Sequence, residues 1–178
     1  MVGEPNAEPS LEPSLAPAVE IRAATIADLD ELVEVYLSAA AHHETIDPDV
    51  YLVPAAADAA IRWHHRVESR GPDAECVVSV VDGRVVGSAS IEVVPSAGVG
   101  SMIRPLRTAE IGIGMLEGYR GLGIGQRLIA ELEGWAADHG IERIVLLVAD
   151  ANVGALRLYR RLGYTDDSVV LRKEVAPR

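Results

Sequence analysis

A run of glycines in the second half of the chain has the composition of a phosphate-binding loop. Glycine stands at positions 121, 123 and 125, between Arg120 and Gln126, and apolar residues at helical spacing follow. Glycine lets the backbone approach a ligand closely and adopt positive φ where a turn requires it. Where a strand ends and a helix begins, unpaired backbone N–H groups and the helix dipole favour an anion. The run therefore predicts a site for phosphate groups.

Two other kinds of phosphate loop do not match this spacing. A Walker loop needs a Gly-Lys pair to reach the terminal phosphates, and no such pair occurs in the chain. A dinucleotide-binding loop needs G-x-G-x-x-G, whereas this loop reads G-x-G-x-G. The earlier Gly112 and Gly114 lie within a predicted strand and lack the third glycine. A nucleotide hydrolase and a nicotinamide-dependent oxidoreductase are both disfavoured.

Other residues capable of chemistry form no metal site in the sequence. Cys76 has no Cys or His partner at metal-ligand spacing, and we interpret it as a buried strand residue. The histidine pairs at positions 42–43 and 64–65 are adjacent on predicted helices, so the two rings of each pair point in different directions. We therefore expect these histidines on the helix surface and predict no bound metal.

Composition and charge narrow the function classes. The 178 residues, 49% of them hydrophobic, suit one domain with a sizeable core. The net charge of -11 argues against nucleic acid and anionic membranes as partners and mildly favours a cationic acceptor. No apolar run is long enough for a membrane span, and the first 18 residues carry Glu without Lys or Arg. These features predict a cytoplasmic protein.

The glycine loop must be positioned by the elements on either side of it. Residues 1–18, rich in Pro, Glu, Ala and Ser, are predicted to be a disordered tail before a single domain at 19–178. Apolar spacing and turn residues predict strands at 19–23, 75–81, 85–94, 109–116, 143–149 and 169–175, and helices at 25–43, 55–69, 123–139 and 152–162. This order indicates a mixed α/β fold with antiparallel hairpins and a parallel crossover.

Two motifs in this order resemble the GNAT superfamily of N-acetyltransferases. The family signature, Arg/Gln-x-x-Gly-x-Gly/Ala after the fourth strand, reads here from Arg120 to Gly125. A later block, from Asn152 to Tyr159 and on to Leu162-Gly163-Tyr164, is similar to the family's later motif and falls one strand and one helix downstream. The resemblance implies an α/β fold with a mostly antiparallel sheet of six to seven strands, splayed between strands 4 and 5 and flanked by about four helices.

The resemblance also implies acetyl-CoA as the co-substrate, held between the two splayed strands, with no metal. The loop amides would hold the pyrophosphate, the backbone of strand 4 would hydrogen-bond the pantetheine, and the residue at 152 would contact the cofactor arm. The implied cofactor-binding residues are Ile113, Met115, Arg120, Gly121, Leu122, Gly123, Ile124, Gly125, Gln126 and Asn152. Family habit favours a homodimer.

Acetyl transfer to an amine needs a neutral nucleophile and a proton source for the leaving thiolate. Tyr159 matches the tyrosine that the family often uses as the acid, and it lies seven residues after Asn152, on the same side of one helix. Glu110 stands where several members carry the base, and alternation puts Gly112 on the same strand face. Glu92 or a water molecule is the alternative base. Tyr159 and Glu110 are therefore the catalytic candidates.

The resemblance thus implies an enzyme that transfers an acetyl group directly from acetyl-CoA to a primary amine. The acceptor would be a small molecule, an amino-acid-like compound or a protein N-terminus. The alternative is a non-catalytic acyl-CoA-binding or sensory module, which would bind CoA without turning it over. The presence of Tyr159 and Glu110 favours the enzyme.

Overall fold

The computed structural model describes residues 18–95 and 101–173, so the predicted tail lies outside the described residues except for position 18. The elements in chain order are β1 Val19–Ala23, α1 Leu29–Ile46, α2 Ala56–Glu68, β2 Ala74–Val81, β3 Arg84–Val94, β4 Thr108–Met115, α3 Ile124–Asp138, β5 Arg143–Val145 and α4 Val153–Arg161. The predicted strands and helices up to α4 are confirmed with shifted ends. No helix in these two described ranges is long and apolar enough to cross a membrane.

The strands of the described chain form one sheet in the order β1-β2-β3-β4-β5. Strands β1 to β4 pair antiparallel, whereas β4 and β5 pair parallel and are joined by the crossover helix α3. Asp82 and Gly83 connect β2 to β3 with φ values of 50° and 80°. Positive φ at both turn positions matches the twist of a hairpin, so this two-residue turn sets the β2–β3 register.

Helices cover both faces of the sheet, and neighbouring residues of β4 show which helix lies on which face. Successive side chains of a strand point to opposite faces. A side chain at Gly114 would meet Val35 and Ala39 of α1, whereas the side chain of Ile113 lies against Gly125 of α3. The helix α1 therefore covers one face and α3 the other. The largest fully buried side chains lie between these layers and include Leu32, Val78, Val86, Ile91, Leu128, Ile129 and Leu132.

The strands β4 and β5 separate after a short paired stretch. Residues 108–110 of β4 pair with residues 143–145 of β5, and the pairing stops there. Residues 111–115 keep their partners on β3. Within the described chain, residues 111–115 have no strand partner on the side of β5. The predicted splay between strands 4 and 5 is thus present, and it opens immediately after Glu110.

The predicted count of six to seven strands is wrong, since the described chain contains five. The last predicted strand, 169–175, forms no strand as far as residue 173, and its final two residues lie outside the described range. Val169, Val170 and Leu171 are all exposed. A strand needs a ladder to join, and the edge strand β5 is only three residues long. β5 ends at Val145 instead of the predicted 149, so little of it remains for a sixth strand to pair with.

Candidate active site

The glycine loop connects β4 to α3 in the predicted place. A 3₁₀ turn, Glu117–Tyr119, follows β4, and α3 begins at Ile124 with Gly123 as its N-cap. Gly121 and Gly123 have φ values of +78° and +80°. A side chain in this left-handed region costs roughly 1–2 kcal/mol, so glycine at these two positions is needed for the path of the chain.

The backbone amides of the loop are free to bind a ligand. In the described part of the chain, no protein acceptor is found for the N–H groups of residues 121–126. A Cβ atom at Gly121 or Gly123 would have no heavy atom within 4 Å, so the space in front of the loop is open. These amides lie at the positive end of the 15-residue helix α3. Together they form a cradle for an anionic group.

Gly125 is needed for close packing around the loop, and it does not shape the turn. A Cβ at this position would lie 3.4 Å from Cδ1 of Ile113 and 3.7 Å from Cδ2 of Leu158. The absence of a side chain therefore lets the first turn of α3 sit close to both β4 and α4. The glycine at position 125 positions the cradle, and the other two shape it.

Arg120, which opens the motif, is directed toward the protein. Its Nη2 donates to the carbonyl oxygen of Ser38 on α1 at 3.1 Å and to that of Met115 at the end of β4 at 3.3 Å. The guanidinium thus fastens the loop to two other elements. Its predicted contribution to cofactor binding would in this arrangement come through position and long-range charge.

The splayed edge of β4 presents the backbone groups that the resemblance assigned to the pantetheine. The amide of Leu116 donates to the carbonyl of Val86 on β3 at 2.9 Å. Backbone groups alternate in direction along an antiparallel pair, so the N–H and C=O groups of Met115 and Ile113 point away from β3, into the splay. The Met115 carbonyl accepts a hydrogen bond from Arg120. The backbone groups that remain available to a ligand are the Met115 amide and the N–H and C=O of Ile113.

A cavity of about 280 Å³ lies on the α1 side of β4. Its floor consists of small residues on β3 and β4, namely Ser88, Ser90, Gly112 and Gly114. Its walls come from α1, α2 and the loop between them, through Tyr36, Ala39, Ala40, His43, Tyr51, Leu52, Arg62, Trp63 and Arg66. Because the floor lacks large side chains, space remains between the sheet and the helices. Ile113 also reaches the cavity, so the cavity adjoins the splayed strand.

Glu110 lies at the point where the splay opens and on the cavity face of β4. It is exposed, and its strand partners are Glu92 on β3 and Val145 on β5. Gly112, two residues further on the same face, belongs to the cavity floor, about 7 Å away along the strand. The two glutamates therefore stand side by side at the rim of the cavity.

Tyr159 lies on α4 and is buried, with 8% of its surface exposed. Burial raises the pKa of its phenol above the usual value of 10. Its ring meets that of Tyr164 edge-on, with 5.8 Å between the centroids. The phenol is therefore protonated throughout the neutral range and is held in place by packing.

Asn152 is the N-cap of α4, the helix that carries Tyr159. Its Oδ1 accepts a hydrogen bond from the amide of Ala155 at 3.2 Å. A cap of this kind satisfies one of the free donors of the first turn and contributes about 1 kcal/mol. The predicted contact between Asn152 and the cofactor arm would use its Nδ2 group or the second lone pair of Oδ1. The structure thus gives this residue a role in helix formation first.

His43 was predicted on the helix surface, yet it lines the cavity. Its Nδ1 lies 2.8 Å from the carbonyl oxygen of Ala39, and its ring centroid is 5.1 Å from that of Tyr51. The sequence carries one signal for this, since Tyr36 and His43 are two helical turns apart and share a helix face. His64 fits the prediction, because it is exposed beside Glu68.

Cys76 lies where the sequence predicts it, within a buried strand. Cys76 is buried in β2, as predicted, and burial raises the pKa of its thiol to about 12. A thiol with such a pKa is inert at neutral pH. No group of three or more His, Cys, Asp or Glu side chains suited to a metal ion lies among the described residues.

The mixed sheet, splayed between β4 and β5 with a glycine loop at its opening, places the chain among α/β proteins. The chain belongs to the acetyltransferase (GNAT) family, whose model matches residues 34–164. The resemblance inferred from the loop and the later motif is confirmed. Proteins of this family are in general acetyl-CoA-dependent acyltransferases.

Solved structures share this fold. The BH1408 protein from Bacillus halodurans, in a mutant form, is 21% identical with a TM-score of 0.78, over 88% of this chain and 99% of that one. The aminoglycoside N-acetyltransferase AAC(6')-Iy in complex with CoA is 16% identical with a TM-score of 0.65, over 93% and 100%. Glucosamine-6-phosphate N-acetyltransferase from Arabidopsis thaliana is 15% identical with a TM-score of 0.63, over 89% and 99%. Such identities show the fold alone. A comparison with curated proteins finds no match.

Proposed function

We propose that this protein transfers an acetyl group directly from acetyl-CoA to the primary amine of a small molecule, an amino-acid-like compound or a protein N-terminus. The observation that carries the proposal is the joint placement of three features. Free amides at residues 121–126 lie at the N-terminus of α3, the adjacent edge of β4 is unpaired, and a cavity adjoins that strand. Membership of the acetyltransferase family supports the same reaction class.

The residues present fit acetyl-CoA, which when bound supplies an acetyl group activated as a thioester. The cradle at residues 121–126 would hold the pyrophosphate through backbone N–H groups, since the space in front of Gly121 and Gly123 is open. The Ile113 backbone and the Met115 amide would hold the pantetheine by the ladder bonds that β5 leaves unmade. Each contact uses a backbone group that has no other partner.

Glu110 would take the proton that an amine must lose before it can attack. The carboxylate stands at the opening of the splay and at the rim of the cavity, where it would act on an amine at the rim directly or through one water. Its neighbour Glu92 is placed almost equally well and remains the alternative base. Small residues at Gly112 and Gly114 leave the space that an acceptor needs.

Tyr159 would supply the hydrogen bond that stabilises the leaving sulfur. A phenol has a pKa of about 10, no lower than that of a thiol, so full proton transfer from Tyr159 to a thiolate is not favourable. Burial raises the Tyr159 pKa and makes the transfer still less favourable. We therefore assign the phenol to a charge-stabilising hydrogen bond, with the proton delivered only as negative charge develops on sulfur.

Calorimetric titration with acetyl-CoA tests the cofactor assignment. Leu122 has 63% of its surface exposed at the loop, so Leu122→Glu adds a negative charge to the cradle without changing a glycine. We expect micromolar binding to the wild type and at least tenfold weaker binding to Leu122→Glu. The control, Ala130→Glu, adds the same charge at an exposed position of α3, about 12 Å along the helix, and should bind as the wild type does.

A thiol-release assay with a panel of amines then tests the reaction. Release of CoA that depends on an added amine supports the acetyltransferase. Binding without release on any amine supports the non-catalytic acyl-CoA-binding module instead. Absence of acetyl-CoA binding to folded wild-type protein, or binding of NADH in its place, would overturn the assignment.

A further inference from the structure

Two arginines of α2 line the cavity and are held there by aromatic and polar contacts. Arg62 and Arg66 are four residues apart, so they lie one turn apart on the same helix face. The Arg62 guanidinium lies 5.7 Å from the ring centroid of Tyr36, and that of Arg66 lies 5.8 Å from the ring centroid of Trp63. Such contacts restrict a flexible cation and place it in advance of binding.

Arg66 also reaches the floor of the cavity. Its Nη1 donates a hydrogen bond to Oγ of Ser90 on β3, and Ser90 is paired with Gly112 of β4. The cation is therefore fixed directly above the part of the sheet that adjoins the splay. Arg66 and the small floor residues Ser88, Ser90, Gly112 and Gly114 line the same cavity.

Neither arginine forms an ion pair within the part of the chain that the structure describes. Elsewhere Arg22 pairs with Asp28, Arg70 with Glu75, and Arg84 with Glu34. The residues lining the cavity include no Asp or Glu. The chain as a whole has 27 acidic residues against 16 basic ones, so a cavity with two cations and no carboxylate reverses the overall charge.

We propose that this cavity binds the acceptor amine through an anionic group, a carboxylate or a phosphate, which Arg62 and Arg66 hold while the amine points toward Glu110. The inference rests on the proposed acetyl transfer and names the acceptor class. A guanidinium binds either anion through two parallel N–H donors. The amine is then at the rim beside Glu110, and the anion lies next to Arg66 over the sheet, with the exposed Arg62 on its outer side.

The same charges discriminate against a polycationic acceptor. Like charges repel, so a second cationic group on the acceptor would be disfavoured beside Arg62 and Arg66. The acidic net charge of the chain favours a cationic acceptor at long range, but contact within the cavity is decided by the local cations. The volume of about 280 Å³ also limits the bound part to something of amino-acid or monosaccharide size.

Matched amine pairs test this proposal by kcat/KM in the thiol-release assay. Leucine is compared with leucinol, whose amine has a similar basicity, and glucosamine 6-phosphate with glucosamine, so each pair differs chiefly by its anion. We expect the wild type to prefer the anionic member of at least one pair tenfold or more, and the pair that shows the preference distinguishes carboxylate from phosphate. Equal use of both members of both pairs would overturn the anion site, with acetyl transfer itself intact.

Arg66→Gln and Arg62→Gln are expected to abolish most of this preference by raising KM for the anionic amine more than KM for the neutral one. Arg84→Gln removes an arginine at the exposed hairpin end and should keep the wild-type preference. A preference that survives in both cavity variants would refute the role of the arginines. Thermal unfolding shows that each variant is folded.

A binding measurement tests the anion site even if the protein acetylates none of the amines in the assay. Calorimetry with glucosamine 6-phosphate and with leucine, in the presence of CoA, should show binding to the wild type that weakens at least tenfold in Arg66→Gln. If the anionic amines bind in this way but no amine is acetylated, the proposed acetyl transfer is contradicted and the anion site is retained. Absence of any binding difference between anionic and neutral amines would contradict the anion site.

Discussion

Tyr159 and Asn152 lie on one short helix, where each has a structural role beside its proposed chemical one. Asn152 caps α4 with its side-chain oxygen, and Tyr159 lies two turns later with its ring in the core. The cap fixes where the helix begins, and the packing of the phenol fixes its rotation. A tyrosine placed in this way loses little conformational entropy on forming one more hydrogen bond at its hydroxyl.

Replacement of Tyr159 by Phe removes that hydrogen bond and keeps the ring. We expect kcat to fall about 10²-fold while KM for acetyl-CoA stays within about twofold, since the hydroxyl acts on charge that develops only during the reaction. Steady-state kinetics measure both constants. The control is Tyr164→Phe, whose ring contacts Tyr159 but whose hydroxyl has no assigned role. Equal losses in the two variants would reduce Tyr159 to a packing residue.

The two glutamates at the splay, Glu110 and Glu92, should differ in their effect on the reaction rate. Glu110→Gln cannot accept the amine proton, so kcat/KM should fall about 10²-fold at neutral pH and recover as the pH rises and free amine becomes abundant. Glu92→Gln keeps the shape of the neighbouring strand and should remain near the wild type. The pH profile of kcat/KM provides the measurement. A large effect in Glu92→Gln alone would move the base to the alternative residue.

At the level of elements, the loop could be predicted from sequence because it depends on local rules. Gly121 and Gly123 need positive φ, and a strand before and a helix after them were readable from apolar spacing. The path of Arg120 was not predictable, since its partner Ser38 is 82 residues away. The cationic cavity was missed for the same reason. Nothing near Arg66 in the chain indicates that α2 places it over Ser90.

The join between β1 and α1 carries a titratable contact that predicts pH-dependent stability. Arg22 donates to both carboxylate oxygens of Asp28, at 2.8 and 2.7 Å, and the Thr25 amide donates to Asp28 at 2.8 Å. The bonds from Arg22 lower the pKa of Asp28 to about 2, against a burial that would raise it. An acid with a lowered pKa stabilises the fold above its unfolded pKa and loses this contribution as the pH falls toward its folded pKa.

The window for Asp28 therefore lies between about pH 4 and pH 2, where about 2 kcal/mol of stability should disappear. In Asp28→Asn this contribution is absent at every pH, so its free energy of unfolding should be lower at pH 7 and should fall less steeply below pH 4. Urea unfolding across this range measures both curves. Asp30→Asn, an exposed neighbour on α1, is the control. Parallel curves for the wild type and Asp28→Asn would show that the contact does not stabilise the fold.

Across the whole molecule, long-range assembly limits what a single sequence predicts. The consecutive β-prone residues from Val169 to Leu171 are typical of a strand, but a strand exists only where an edge is long enough to accept it. The edge strand β5 pairs over three residues before the splay begins. The same splay that provides the proposed cofactor site therefore shortens the ladder that a sixth strand would use.

The charge of the whole molecule yields a prediction about rates. A chain of net charge -11 repels an anion such as acetyl-CoA at long range, whereas the cradle at residues 121–126 attracts it only at contact. Raising the salt from 0.01 to 0.15 M shortens the Debye length from about 30 to about 8 Å. The association rate constant for acetyl-CoA should therefore rise several-fold, as followed by stopped-flow tryptophan fluorescence.

S-acetylpantetheine, which lacks the phosphates, is the matched ligand, and its association rate should not change with salt. If the rate for acetyl-CoA instead falls as salt is added, the local positive potential of the helix end and the cavity arginines extends beyond the protein surface and outweighs the acidic shell. That result would mean that the site captures anions by steering as well as by contact. A rise confined to acetyl-CoA would mean that the acidic surface slows capture, and that affinity comes from the short-range bonds of the cradle.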